Sequence, residues 1–407
     1  MTLIAIHLLQ NHAPSNLNRD DNGDPKDAFF GGVRRARISS QALKRSIRTD
    51  TAEFQAIVNN PALLGERTKL LPELIRTELE RLEASDEERA AILTHAVKFG
   101  KGDTKAPAVA PSDDSNTPVG SDGPPSKSKA KGKPGKSDAP TADARLKTAQ
   151  LMFLTHREVE TLTGKLLKHC QEIGLAAFAA LETEKDLVNK LFKQQIEPHA
   201  VDIAMFGRMT TSSPFKDIDA AVQVAHALST HRVEQEFDYF TAVDDISGET
   251  GAGMIGDVAF NSATYYKYIN IHWEGLLANL GGDHAIAATA VKALLRAAMT
   301  AIPSGKQNTF AAHNLPDFAL VEVLARNVPV SYANAFLKPV RASDNRSLMD
   351  ESIARFAEYA APVPTRFGLP VERAVFYQQT EPALGEICAS LDELTTWVNA
   401  RIPERSA

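Results

Sequence analysis

The chain has 407 residues, 43% of them hydrophobic and 7% aromatic, and 45 Lys plus Arg against 51 Asp plus Glu leave a formal charge of −6. This make-up supports a sizeable core and excludes wholesale disorder, while the mild acidity excludes the broad positive field of a simple nucleic-acid coat. No apolar run nears the ~20 residues that span a bilayer, and Met1 to Gln10 has neither a positive flank nor a cleavage site, so a soluble, cytoplasmic protein without a membrane partner is expected. Two distant cysteines, Cys170 and Cys388, cannot build a disulfide framework or a four-cysteine zinc site.

Leu3 to Leu9 (LIAIHLL) is a near-continuous apolar run and reads as a strand. A loop of mixed charge follows, with Asn18-Arg19-Asp20-Asp21 and Lys26-Asp27, then the pair Gly31 and Gly32, which lets the backbone turn tightly and approach a ligand. Arg34, Arg35, Arg37, Lys44, Arg45 and Arg48 then put six positive charges into fifteen residues without one acidic neighbour. Ser39 or Ser40 suits an N-cap, after which Leu43 and Ile47 make a buried face and Gln41, Lys44, Arg45 and Arg48 form one stripe of donors directed away from the core. Such a stripe, opened by backbone N–H groups at a helix N-terminus, suits phosphates. The lack of nearby acids argues against internal pairing.

Leu63–Phe99 and Gln150–Phe192 read as helical and are expected to pack together. Between them, 101–147 holds seven of the 22 prolines and no aromatic residue, including the basic run Lys127–Lys136, and is expected to be a disordered loop. Val201, Ile203 and Met205 alternate before Gly207 and read as a strand, whereas Ile218, Ala221, Val222, Ala225 and Leu228 recur at helical spacing. Asp244 and Asp245 are adjacent acids that suit a loop or cap better than a metal site. Met254 and Ile255, in a glycine-rich stretch, read as a hairpin tip that meets a partner, wedges between bases or packs on its own domain. Ala285–Met299 reads as a helix, Ser304–Thr309 with Lys306 and Gln307 as a backbone-contact loop or plain turn, and Phe318–Leu324 and Val328–Ala333 as extended. His226 and His231, five apart, do not suit a zinc pair, and the string AKGKPGKS lacks the first glycine and preceding strand of a nucleotide loop. The sum is an α+β sheet domain split by a helical insertion.

Asn18-Arg19-Asp20-Asp21, Lys26-Asp27-Ala28-Phe29-Phe30-Gly31-Gly32 and Arg37-Ile38-Ser39-Ser40-Gln41-Ala42-Leu43-Lys44-Arg45 resemble the amino-terminal signature of the CasC family, the repeated backbone subunit of the type I-E CRISPR Cascade complex. The similarity continues through Gly207-Arg208-Met209, Phe240-Thr241-Ala242-Val243-Asp244-Asp245, Lys306-Gln307 and Ala333-Asn334-Ala335-Phe336, in the same order over nearly the whole chain; the stretch 101–147 departs from the family pattern.

The resemblance implies an RRM-like (ferredoxin-like) palm over 1–50 and 196–407, a helical fingers insertion over 51–195 and a thumb β-hairpin over 238–268. It further implies a non-catalytic subunit, without cofactor or metal, that polymerises in several copies along crRNA with other Cascade subunits and presents the guide to target DNA. Asn18, Arg19, Lys26, Arg34, Arg35, Arg37, Ser39, Ser40, Gln41, Lys44, Arg45, Arg48, Lys306 and Gln307 are then expected at the RNA, Arg208 and Met209 at a kinked nucleotide, and Met254 and Ile255 at the thumb tip. The rival is a RAMP-type metal-dependent endoribonuclease that cuts target RNA through Asp20, Asp21 or Asp27.

Overall fold

Leu3–Ser15 forms a 13-residue strand, β1, whose side chains alternate between two hydrophobic cores: Ile4, Ile6 and Leu8 enter one, Leu3, Ala5 and Leu9 the other. A strand covered on both faces has no solvent side, so its apolar run is nearly unbroken. The structure is a computed structural model and describes residues 1–99, 146–181, 191, 195–210, 212, 214–242, 246, 254–376 and 380–403. Two compact units form, one from Met1–Glu66, Glu197–Met209 and Asp217–Ala407, the other from Arg67–Ile196 and Thr210–Lys216.

After β1 the strands run, in chain order, β2 (Asp27–Phe30), β3 (Val33–Ile38), β4 (Gly65–Thr68), β5 (Met152–Thr155), β6 (Val222–Val224) and β7 (Ala227–Ser229). They continue with β8 (Glu236–Ala242), β9 (Met254–His272), β10 (Phe318–Leu324), β11 (Val371–Phe376) and β12 (Glu386–Cys388). In the first unit the sheet order is β12-β11-β10-β1-β9-β7-β3-β2, with β6 and β8 also bonded to β9. The pairs are antiparallel except β11 with β12. The mixed architecture, with a large, mostly antiparallel sheet and helices, is α+β.

One face of this sheet is covered by helices Ser40–Arg48 (α1), Phe54–Val58, Val201–Phe206, Trp273–Asn279, His284–Thr300 and Leu391–Asn399, which send Leu43, Phe54, Met205, Trp273, Leu294 and Leu394 into the core. The alanine-rich helix His284–Thr300 starts where the Asp283 carboxylate accepts the Ile286 N–H at 2.9 Å. On the other face, helix Leu348–Ala360 buries Ile353 and Phe356 over a polar cluster. There the Glu322 carboxylate accepts from Tyr332 Oη (2.8 Å) and Arg373 Nε (2.7 Å) and lies 3.2 Å from His7 Nε2. Burial alone would raise the Glu322 pKa, but the hydrogen bond and charge of His7 and the charge of Arg373 hold it below the usual carboxylate value.

The second unit has its own core, which Leu71, Ile75, Ile92, Leu162, Leu166 and Phe178 fill from helices Leu71–Arg81, Asp86–Ala96, His156–Ile173 and Leu175–Ala179, with β4 paired to β5. Capping boxes at Ser85/Glu88 and Thr155/Glu158 start two of these helices.

Five segments differ from the sequence reading, and two of them are strands Gly65–Thr68 and Met152–Thr155, which pair with each other inside stretches read as helical. Val201–Phe206 is a helix rather than a strand: all six residues are buried, including Asp202, whose carboxylate accepts the Gly65 N–H at 2.8 Å. Its polarity alternation therefore marks no solvent face. Ile218–Leu228 is no helix but holds the short strands β6 and β7, both paired to β9, so partner hydrogen bonds outweigh a helical spacing of apolar residues. Val328–Tyr332 carries no strand, and Ala333–Phe336 is a turn of 3₁₀ helix. The insert at 101–145 with its basic run, and Asp244 and Asp245, lie outside the described residues.

Candidate nucleic-acid interface

The loop after β1 is locked to the start of α1. The Asn18 side-chain carbonyl accepts the Ser39 N–H at 2.8 Å, its backbone carbonyl accepts the Lys26 N–H at 2.8 Å, and the Lys26 carbonyl accepts the Arg37 N–H at 2.9 Å. Ser39, not Ser40, is the N-cap: its backbone is extended (φ −67°, ψ 149°) and its hydroxyl accepts the Ala42 N–H at 3.2 Å. Leu43 and Ile47 are buried, as their spacing predicts, and place Gln41 and Arg45 in the solvent. Lys44 is half-buried, with its ammonium 5.9 Å from the centre of the Phe206 ring.

Not every cation of the cluster faces outward. Arg35 is fully buried, its guanidinium donating to the carbonyls of Phe30, Ser229, Phe336 and Leu337, so it is a structural tie and not a surface for a ligand. Arg34 pairs with Asp27 at 2.8 Å and remains about half exposed. Arg48 donates to the Gly65 carbonyl at 3.3 Å and lies 3.7 Å from the buried Asp202 carboxylate. Burial pushes the Asp202 pKa up to about 6, against the opposing pull of the Gly65 N–H and the Arg48 charge. The absence of acids between Gly32 and Arg48 therefore did not prevent internal pairing, because the acids come from Asp27 and from Asp202, distant in sequence.

Gly31 has φ +62°, and a Cβ there would lie 2.0 Å from the Leu337 carbonyl oxygen, so this glycine admits the chain's own backbone rather than a ligand. Gly305 acts alike: a Cβ would fall 2.4 Å from the Leu17 carbonyl oxygen, and its absence lets the Lys306–Gln307 loop rest on Asn16 and Leu17, next to Asn18 and the exposed Arg19. Lys306 adopts a left-handed conformation (φ +50°), while the Gln307 amide donates inward to the Pro303 carbonyl at 3.2 Å. Arg208 is buried and bridged through its backbone to Ile218, whereas Met209 is 91% exposed.

An antiparallel ribbon extends from the sheet, formed by β8 and the first half of β9, with Met254 opposite Ala242 and Ile255 opposite Thr241. All seven residues of β8 are exposed, among them Phe237, Tyr239 and Phe240. Gly256 leaves room for the Phe240 ring, whose Cζ would lie 2.6 Å from a Cβ at that position. Met254 and Ile255 thus lie on a strand at the far end of the described ribbon, and the exposed aromatics of β8 join them on it.

His226 is a residue that the sequence reading did not place here. The pairing of β3 with β7, Ile38 to Ala227 and Arg37 to Leu228, sets it beside the start of α1. Its Nδ1 is 3.3 Å from the Ser40 N–H nitrogen and 3.4 Å from Arg37 Nη1. Burial, then the charges of Arg37 and Lys26, hold its pKa below the ordinary imidazole value. The only signal that could have found it is the strand register, which the helical reading of Ile218–Leu228 hid.

Two of the three rival carboxylates are committed locally. Asp20 accepts the Asn22 and Asp24 N–H groups at 2.9 and 3.0 Å, and Asp27 is paired to Arg34. Among the described residues no group of three or more His, Cys, Asp and Glu side chains converges.

The family model for CT1975-like proteins matches residues 4–398. A chain of a solved structure titled a CRISPR RNA-guided surveillance complex, pre-nicking, is 28% identical and superposes with a TM-score of 0.75, over 98% of this chain and 99% of that one. A second, from a structure titled a CRISPR RNA-guided surveillance complex, shares the fold at 24% identity and a TM-score of 0.66, over 98% and 99% of the two chains. No curated protein matches.

Proposed function

The chain belongs to the family of CT1975-like proteins, and from that premise we propose that it is a guide-RNA-binding backbone subunit of a type I-E Cascade complex. The observation that carries this reading is the end-to-end structural match, at 28% identity, to a chain of an RNA-guided surveillance complex. In this reading the sheet of the first unit is the RRM-like palm, the segment 51–195 the fingers, and the ribbon within 238–268 the thumb. Copies of the chain line up along the crRNA with the other subunits, and target DNA is recognised through the guide.

The chemistry asked of the protein is positional. Arg19, Lys26, Arg37, Gln41, Lys44 and Arg45 offer donors to phosphates, which fix the strand's path but read no bases. Sequence is left to base pairing, whose ordering cost falls when the guide is held preformed. Met209 and the ribbon's apolar side chains suit contact with bases turned out of the stack. No step of this role requires a reacting group, and the local commitments of Asp20 and Asp27 support the non-catalytic reading over the ribonuclease.

Reversing Lys44 and Arg45 to Glu tests the proposal. Assembly on guide RNA is expected to be lost while the thermal unfolding of the protein stays within a few degrees; RNA binding that is unchanged and insensitive to salt overturns it. Incubation of the assembled complex with complementary RNA and magnesium addresses the rival, which regular cuts abolished by Asp27→Ala would favour.

A further inference from the structure

We propose that His226 is an additional contact to the RNA phosphate backbone, acting as a neutral imidazole that donates from Nε2; the inference rests on the RNA-binding reading above. Two groups converge on its Nδ1, the Ser40 backbone N–H at 3.3 Å and the Arg37 guanidinium at 3.4 Å. Both are donors only, so Nδ1 must be the acceptor and cannot carry a proton. The proton of the neutral ring therefore resides on Nε2, and the residue as a whole is exposed. Histidine tautomers are commonly set in this way, by the partner of the other nitrogen.

The surroundings make this a donor beside an anion position. Burial first, then the charges of Arg37 and Lys26, lower the imidazole's basicity, so positive charge surrounds the ring at this site. Protonating His226 would set a third donor against the Ser40 N–H and Arg37 and undo the contact that holds the ring at the start of α1. A phosphate accepting from Nε2 would lie across the ring from Arg37 and Ser40, held by one neutral N–H in the positive field of Arg37 and Lys26. The groups facing the ring are thus the cations Arg37, on β3, and Lys26, in the preceding loop, with the Ser40 N–H at the start of α1.

The two amide substitutions separate the ring's two nitrogens. Asn at 226 keeps an acceptor near the Nδ1 position for the Ser40 N–H, and Gln carries its amide nitrogen near the Nε2 position. Guide-RNA affinity is measured for the wild type, His226→Ala, His226→Asn, His226→Gln and the Lys44→Glu, Arg45→Glu double variant between pH 6.5 and 8.5, with thermal unfolding as the check on folding. The inference expects His226→Ala and His226→Asn to lose about 3–10-fold in affinity, His226→Gln to recover most of it, and the wild-type margin over His226→Asn to persist unchanged up to pH 8.5. Wild-type affinity in His226→Asn assigns the ring a structural capping role and overturns the inference, as does a margin that fades above pH 7, which marks a cationic contact. If the double variant also binds as the wild type does, the RNA-binding reading itself fails; if only the His226 variants do, this contact alone fails.

Discussion

Arg45 and Arg48 are three residues apart on one helix, yet only the first is a surface charge. Arg48 is 13% exposed and faces Asp202, itself 1% exposed, so the two tie the end of α1 to the helix that follows the second unit's insertion in sequence. Arg48→Glu would bring two carboxylates together in a buried setting, and an unfolding experiment is expected to show a loss of about 3–5 kcal/mol. Charge reversal at Arg45 is expected to cost under ~1 kcal/mol, because water screens it. A loss of RNA binding in an Arg48 variant would therefore report unfolding as much as contact, which is why Lys44 and Arg45 carry the test of function. Arg35 illustrates the same point more strongly. Its identity as arginine is legible in the sequence; that its fork reaches four carbonyls inside the fold is not.

At the scale of elements, the hairpin β2–β3 owes its place to Gly31. The left-handed backbone there and the 2.0 Å approach to the Leu337 carbonyl make two independent demands for glycine, whereas Gly32, at φ +79°, meets nothing within 4 Å. Gly32→Ala is expected to cost about 1 kcal/mol from backbone strain alone. Gly31→Ala adds a backbone collision and is expected to cost about 2–4 kcal/mol, seen as a clearly larger fall in Tm; equal losses would show that the hairpin moves freely away from the Phe336–Leu337 turn. α1 was legible because its cap, its buried i, i+4 pair and its cations are all local features. β6 and β7 were not, since their pairing with β9 lies some 40 residues away and three-residue strands carry almost no periodicity. Val201–Phe206 failed for another reason: a segment buried on every side has no polar face for any period to report.

For the whole molecule, the net charge of −6 matters to how RNA is held. With no general positive field, affinity must come from local contacts, and each phosphate contact adds about 0.7 to the steepness with which log affinity falls against log salt for a single strand. Replacing Lys44 and Arg45 by Gln is expected to flatten that slope by about 1.4 when guide RNA is titrated between about 50 and 200 mM salt. An unchanged slope would mean that these side chains touch no phosphate. The α+β class, the strand β1, the helix α1 with its cap and cations, and the family itself follow from the sequence alone, because each rests on short-range pattern or on residue identity. Which cations point outward, which glycines admit the chain's own backbone, and the arrival of His226 beside Ser40 were decided only by tertiary structure. Each depends on groups distant in sequence that meet through strand pairing and burial, and no local pattern records those meetings.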